Sequence, residues 1–298
     1  MSQEPTFLFC VGATKAGTSW LYQHLLAHEE CHFRSIKELH YFTMTEPRQF
    51  ERAIKVLDAK MAAMQARIDV AEAGKTKWLQ RQLADLAEWR LVLERRATDL
   101  DAYRGFVTKG AEGARLVGDV TPAYALMPVE RLRALLQVAA DTRVLYLIRD
   151  PLARLWSHVR MIAARTAAAS GFERAAHDLV GRITSGDLSG EGQGIVDRGD
   201  YAAIIPKLET VFAGKKLMVQ FQEELMTPAG VSRLSDFLGI TPASAALEKR
   251  VHEGRALALD EGMKARALVW LRPQYDFVAS RFPVLPEAWS RNMEKGFA

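Results

Sequence analysis

Cysteine is nearly absent: the 298-residue chain holds two, Cys10 and Cys31. Two thiols cannot staple a chain of this length, so a disulfide framework is excluded and a reducing, cytoplasmic setting is expected. Charge of one sign is lacking too. Forty Lys and Arg against 36 Asp and Glu leave a formal charge of +4. That balance suits an anionic ligand and does not argue for nucleic acid as a partner. No apolar run approaches the roughly eighteen residues of a membrane span, and no basic-led apolar leader precedes the first strand. Low-complexity tracts are missing as well. What remains is 49% apolar and 26% charged, enough to bury one substantial core.

Five β-rich apolar runs punctuate the chain: Phe7–Val11, a short one at His32-Phe33, Arg115–Val117, Arg143–Ile148 and Lys216–Phe221. Helical patterns separate most of them. This predicts a single α/β domain over residues 1–298, a three-layer fold with a central parallel sheet flanked by helices. Ligands of such folds gather at the carboxyl ends of the strands. Lys15, Asp119 and Arg149 each fall just past a predicted strand and are expected to share that rim.

Residues 50–101 have a different texture. Ile54, Leu57, Met61, Met64, Ile68 and Ala71 follow a 3-4-3-4-3 spacing, which resumes at Leu79, Leu83 and Leu86 and runs on to Leu100. The spacing predicts an inserted antiparallel helical hairpin, each helix with a narrow apolar seam. A packed decoration, a lid and a homo-oligomer contact are all compatible with it.

Between the first strand and a helix predicted over Thr18–His28 lies Gly12-Ala-Thr-Lys15-Ala16-Gly17-Thr18-Ser19-Trp20. Strand, glycine turn and helix make backbone N–H groups converge on an anion. In the common nucleotide-hydrolase loop the lysine follows the second glycine; here Thr18-Ser19 follow it and Lys15 sits inside the turn. A second anion site is suggested by Arg149-Asp150-Pro151-Leu-Ala-Arg154-Leu-Trp-Ser157. Asp150 suits an N-cap and Pro151 the first helical position. Arg149 then emerges beside a helix N-terminus, with the Ser157 hydroxyl about two turns along. Two anion sites at neighbouring strand ends fit a nucleotide phosphorylated at both its 5′ and 3′ positions.

These two motifs, in this order, resemble the sulfotransferase family that uses 3′-phosphoadenosine 5′-phosphosulfate (PAPS). Ser35-Ile-Lys37-Glu38-Leu-His40-Tyr41-Phe42 is similar to the segment bearing the catalytic carboxylate in the heparan-sulfate-type branch. Gly118-Asp119-Val120-Thr121-Pro122-Ala123-Tyr124 resembles that branch's G-E-K-T-P-x-Y signature, Gly199-Asp200-Tyr201 its G-x-Y element, and Gly254-Arg255-Ala256 its late glycine-basic loop. A bacterial member is expected. The resemblance implies that Lys15, Ala16, Gly17, Thr18, Ser19 and Trp20 cradle the 5′-phosphosulfate, with Lys15 at the bridging oxygen. Arg149 and Ser157, helped by Tyr201 and Arg255, would take the 3′-phosphate. Glu38 would be the general base with His40 beside it. Glu38, His40, Tyr41 and Tyr124 would meet a carbohydrate or other hydroxyl-bearing acceptor. PAPS is the implied co-substrate, and no metal is implied. This chain departs from the pattern at Val120, where a lysine is common, at Glu253, where a basic residue is common, and at Glu29, where a proline is common.

Two other readings stay open. Gly12–Ser19 could be a deviant Walker loop of a nucleotide kinase or NTPase, with Asp150 holding magnesium. The fold could also serve a catalytically inactive binding protein. His40 competes with Glu38 for the role of base, since an imidazole's intrinsic pKa of about 6.5 suits it. His24, His28, Cys31 and His32 imitate a metal site, but no second ligand cluster supports them. Arg198-Gly199-Asp200 reads as a turn into a helix beginning near Tyr201.

Overall fold

Five parallel strands form one sheet in the order β2-β3-β1-β4-β5, in a computed structural model that describes residues 4–72, 74, 76–243 and 255–297. They are β1 (Thr6–Gly12), β2 (Cys31–His32), β3 (Leu116–Val120), β4 (Thr142–Ile148) and β5 (Leu217–Phe221). The central strand β1 runs Phe7-Leu8-Phe9-Cys10-Val11 without one exposed side chain. Such a continuous apolar run is what a strand covered on both faces requires. It pairs with β3 on one side and β4 on the other, so the crevice between those neighbours opens at its carboxyl end.

The helices are α1 (Thr18–Leu26), α2 (Pro47–Asp69), α3 (Lys77–Leu93), α4 (Leu100–Thr108), α5 (Val129–Leu135), α6 (Pro151–Thr166), α7 (Phe172–Thr184), α8 (Gly192–Asp197), α9 (Tyr201–Val211), α10 (Gln222–Leu225), α11 (Pro228–Leu238), α12 (Glu261–Arg281) and α13 (Glu287–Phe297). They flank the sheet, giving the expected α/β architecture. No helix of the described residues is long and apolar enough to cross a membrane.

The hairpin exists as α2 and α3, with different limits from those the spacing predicts. Its first helix starts earlier, because Pro47 occupies the first turn and Glu46 with Gln49 forms a capping box. Its second helix ends at Leu93. Leu100 opens the separate helix α4, whose N-cap Asp99 accepts from the Ala102 amide at 2.9 Å. The apolar period runs through this break because both helices face the same core.

Candidate active site

The turn after β1 is built for an anion. Gly17, the N-cap of α1, has φ +90° and no side chain to cap the helix. The first-turn amides of Thr18, Ser19 and Trp20 therefore point out without an internal acceptor. A side chain at Gly17 would be strained at that φ, and its Cβ would sit 2.9 Å from Gln222 Cγ. Lys15 also adopts a left-handed backbone, φ +72°. Its ammonium has no carboxylate partner among the described residues. Burial and then the charges of Arg149, Arg160, Arg165 and Lys37 hold its pKa below the ordinary lysine value. Several cations crowded around a lysine that has no carboxylate partner among the described residues mark a place that suits a polyanion.

Arg149 joins this turn directly: its Nη1 donates to the Lys15 carbonyl at 3.2 Å. The two residues thus stand side by side at the carboxyl ends of β1 and β4. Arg149 leaves β4 where α6 begins, and Asp150 caps that helix by accepting from the Ala153 amide at 2.8 Å. Ser157 lies on α6, partly exposed. Arg160 stands one turn further and donates to the Arg255 carbonyl at 3.1 Å, while the Arg255 guanidinium sits 4.6 Å over the Phe172 ring. Gly254 and Glu253 lie outside the described residues. Arg160 was missed from the sequence, although its i, i+3 spacing from Ser157 puts both on one helix face.

The third component is the segment after β2. Glu38 and His40 both have positive φ, 64° and 55°. Glu38 Oε1 pairs with Lys37 Nζ at 2.5 Å and Oε2 lies 3.5 Å from His40 Nε2. Burial pushes the Glu38 carboxyl up, but the His40 hydrogen bond and the Lys37 charge outweigh it and hold it at about 2. The charges of Lys37 and Glu38 also act on Cys10 in β1, a buried thiol that burial pushes up to about 12. Phe42, two residues past His40, packs edge-on against Phe9 of β1 with ring centroids 5.8 Å apart, which sets the segment beside the central strand.

Five residues expected at the site or its rim are placed otherwise. Tyr124 is fully buried, and its hydroxyl donates to Asp119 Oδ2 at 2.8 Å. Asp119 is no rim residue either: β3 continues through it, and it accepts from Thr121 and Tyr103 as well, at 2.7 and 3.0 Å. Tyr41 is buried, accepting from the Asp99 amide at 2.7 Å and directed toward the Asp99 and Ala97 carbonyls. Tyr201 is buried too, with its hydroxyl donating to the Arg149 carbonyl at 2.7 Å and accepting from the Arg149 amide at 3.2 Å. Its hydroxyl is thereby taken up by the backbone of Arg149. Trp20 is largely buried and stacks on His24, ring centroids 5.1 Å apart. The signature motifs placed these residues near the site, and their apolar rings took them into the core. Tyr124→Phe is accordingly expected to cost about 1–3 kcal/mol of stability, by leaving a buried carboxylate short of one donor. A urea melt measures that loss, and an acceptor KM unchanged from the parent's confirms that the ring serves the core.

The family model described as "Sulfotransferase family" matches residues 5–243. The chain belongs to the sulfotransferase family. Three solved sulfotransferases share its fold. That of Alicyclobacillus acidocaldarius is 19% identical with a TM-score of 0.60, over 97% of this chain and 99% of the other. The sulfotransferase domain of the Synechococcus PCC 7002 olefin synthase is 15% identical with a TM-score of 0.50, over 96% and 98%. The sulfotransferase domain from the curacin biosynthetic pathway is 20% identical with a TM-score of 0.50, over 83% and 77%. No curated protein sequence matches the chain.

In this sulfotransferase Asp150 does not resemble a magnesium-holding aspartate. Oδ1 caps α6, and Oδ2 accepts from the Tyr275 hydroxyl at 2.7 Å and Asn292 Nδ2 at 3.1 Å. Both oxygens are thus occupied, and Oδ2 ties α12 and α13, which lie beyond the family match, to the strand end that presents Arg149. Of the histidines near β2, His28 is similarly occupied: its Nε2 faces the Thr241 carbonyl at 2.9 Å and Nδ1 accepts from the Glu30 amide at 3.1 Å, whereas Nε2 of His24 and of His32 has no hydrogen-bond partner among the described residues. Among the described residues no cluster of three or more His, Cys, Asp or Glu could hold a metal. Val120, where the resemblance would put a lysine, is buried at the end of β3.

Proposed function

We propose that this sulfotransferase carries a sulfuryl group from PAPS to an acceptor hydroxyl, with a carbohydrate as the acceptor class. The observation that carries the reading is the Arg149–Lys15 contact, which supports one cleft with a cation for each phosphate of the donor. The open amides of α1 and Lys15 receive the 5′-phosphosulfate. Arg149, Ser157 and Arg160 face the 3′-phosphate. The carbohydrate class rests on the likeness of Ser35–Phe42 to the heparan-sulfate-type segment.

In the reaction the acceptor oxygen bonds to sulfur as the bond from sulfur to the bridging phosphate oxygen breaks. The electron pair leaves on that phosphate oxygen, giving 3′-phosphoadenosine 5′-phosphate (PAP), and Lys15 neutralises it. A sulfuryl group in flight carries less charge than a phosphoryl group, so a lysine and a ring of amides suffice to stabilise it. Glu38 takes the acceptor's proton. A carboxylate held this low is a weak base at rest. An acceptor that displaces Lys37 removes one of the two contacts keeping it there.

The pH dependence separates the two candidate bases. A depressed carboxyl stays in its basic form until the pH falls through its lowered pKa, here about 2. With Glu38 as base, kcat/KM is expected to be flat between about pH 5 and 7, where a free imidazole would titrate. A fall through that range as acid is added would contradict Glu38 as the base. On the alkaline side the rate should decline before the ordinary lysine value is reached, because the Lys15 pKa is lowered. The reading itself is tested by incubating the protein with labelled PAPS and a panel of mono- and oligosaccharides, with magnesium-ATP in parallel. Label in a sugar product supports it; ATP turnover without sulfuryl transfer sinks it.

A further inference from the structure

The segment carrying Glu38 and His40 is fastened on both sides by the helical hairpin and the connection that follows it. On its N-terminal side Asp85, a 7% exposed residue of α3, takes both donors of Ser35 on one oxygen. Oδ2 accepts from the Ser35 amide and from Ser35 Oγ, each at 2.6 Å. Oδ1 pairs with Arg34 Nη2 at 2.7 Å. Arg34 also reaches Glu88 of α3 at 2.5 Å and stacks 4.3 Å over Phe106 of α4. Arg81 of α3 donates to the Phe33 carbonyl at 3.2 Å. On the C-terminal side Tyr41 is pinned through its hydroxyl to Asp99, just past α3, and packs 5.6 Å from the Trp89 ring of α3. Between these anchors lie Ile36 to His40. Two non-glycine residues with left-handed backbone in five positions persist only where the surroundings over-determine them. The anchors supply that.

We propose that the α2–α3 hairpin is the clamp of the catalytic loop, and that Asp85 is a positioning residue which sets Glu38 against the acceptor through Ser35. The inference rests on the proposed role of Glu38. It gives the insertion a part in turnover that its place in the chain does not suggest, since α3 is some forty residues from Glu38 in sequence. Asp85 holds the loop's backbone and touches no reacting atom, so its loss should lower kcat and leave the nucleotide cleft alone. Misplacing a base by about an ångström costs on the order of 10²-fold in rate.

The test uses the full chain with Asp85→Asn, which leaves Arg34 its Glu88 partner, and with the milder Ser35→Ala in case the first does not fold. For each, kcat is measured with PAPS and the sugar that gives turnover, PAP affinity by calorimetry, and amide hydrogen exchange over residues 13–20 and 36–40. We expect kcat to drop about 10- to 100-fold in Asp85→Asn and several-fold in Ser35→Ala. PAP affinity should stay within about twofold, and exchange should quicken at 36–40 with 13–20 unchanged. Introduced into Glu38→Gln, Asp85→Asn should produce little further loss, because both changes act on one step. A folded variant with parental kcat, or a penalty that multiplies fully in the Glu38→Gln background, overturns the positioning role. Near-parental turnover of Glu38→Gln alone would instead remove the base and, with it, the premise.

Discussion

Lys15→Ala should lower turnover by at least about a hundredfold while the protein melts as before. The size follows from what the ammonium does: it meets charge that develops on the leaving phosphate oxygen. Removing one such preorganised donor typically costs on the order of 10²–10³ in kcat. The fold should tolerate the change because Lys15 has no ion pair to lose among the described residues, and alanine faces the same left-handed backbone that lysine does. Its removal also relieves repulsion from Arg149, Arg160, Arg165 and Lys37. Steady-state turnover with PAPS alongside a thermal melt checks both halves. Near-normal turnover would take the lysine out of the mechanism.

Glu38→Gln is expected to cut kcat by about 10²–10⁴, the usual contribution of a positioned base, with PAP affinity little changed. Glutamine keeps the volume and loses the charge. The Lys37 contact it forfeits is only half-exposed, so a thermal melt run beside the kinetics separates a loss of stability from a loss of rate. A much greater loss in His40→Ala than in Glu38→Gln would move the base to the histidine.

The framework of this protein was legible because it is written in local patterns. Phe7–Val11 can only be a strand buried on both faces, Asp150-Pro151 announces a helix start, and the misplaced lysine of the turn identifies itself by spacing. The sheet ended where those runs end, within a few residues, with β3 the exception. There Asp119 interrupts the apolar run, and only the hydroxyls of Tyr103, Thr121 and Tyr124 explain how a carboxylate sits inside the strand. Tyr41, Tyr124 and Tyr201 illustrate the same limit. A tyrosine in a motif reads as a ligand contact, but which end of the ring meets solvent depends on partners distant in the chain. Arg160 could have been found by helix spacing from Ser157. Asp85 could not, since nothing local to α3 says that its carboxylate meets Ser35 across the fold.

The claim on which the rest depends is that Lys15 and Arg149 grip opposite ends of one doubly phosphorylated nucleotide. Calorimetric titration of the parent and of Arg149→Ala with PAP and with 5′-AMP tests it most directly. The parent should bind PAP far more tightly than 5′-AMP, and Arg149→Ala should erase that preference with 5′-AMP affinity unchanged. Equal binding of the two nucleotides by the parent, or an undiminished preference in the variant, would contradict the account.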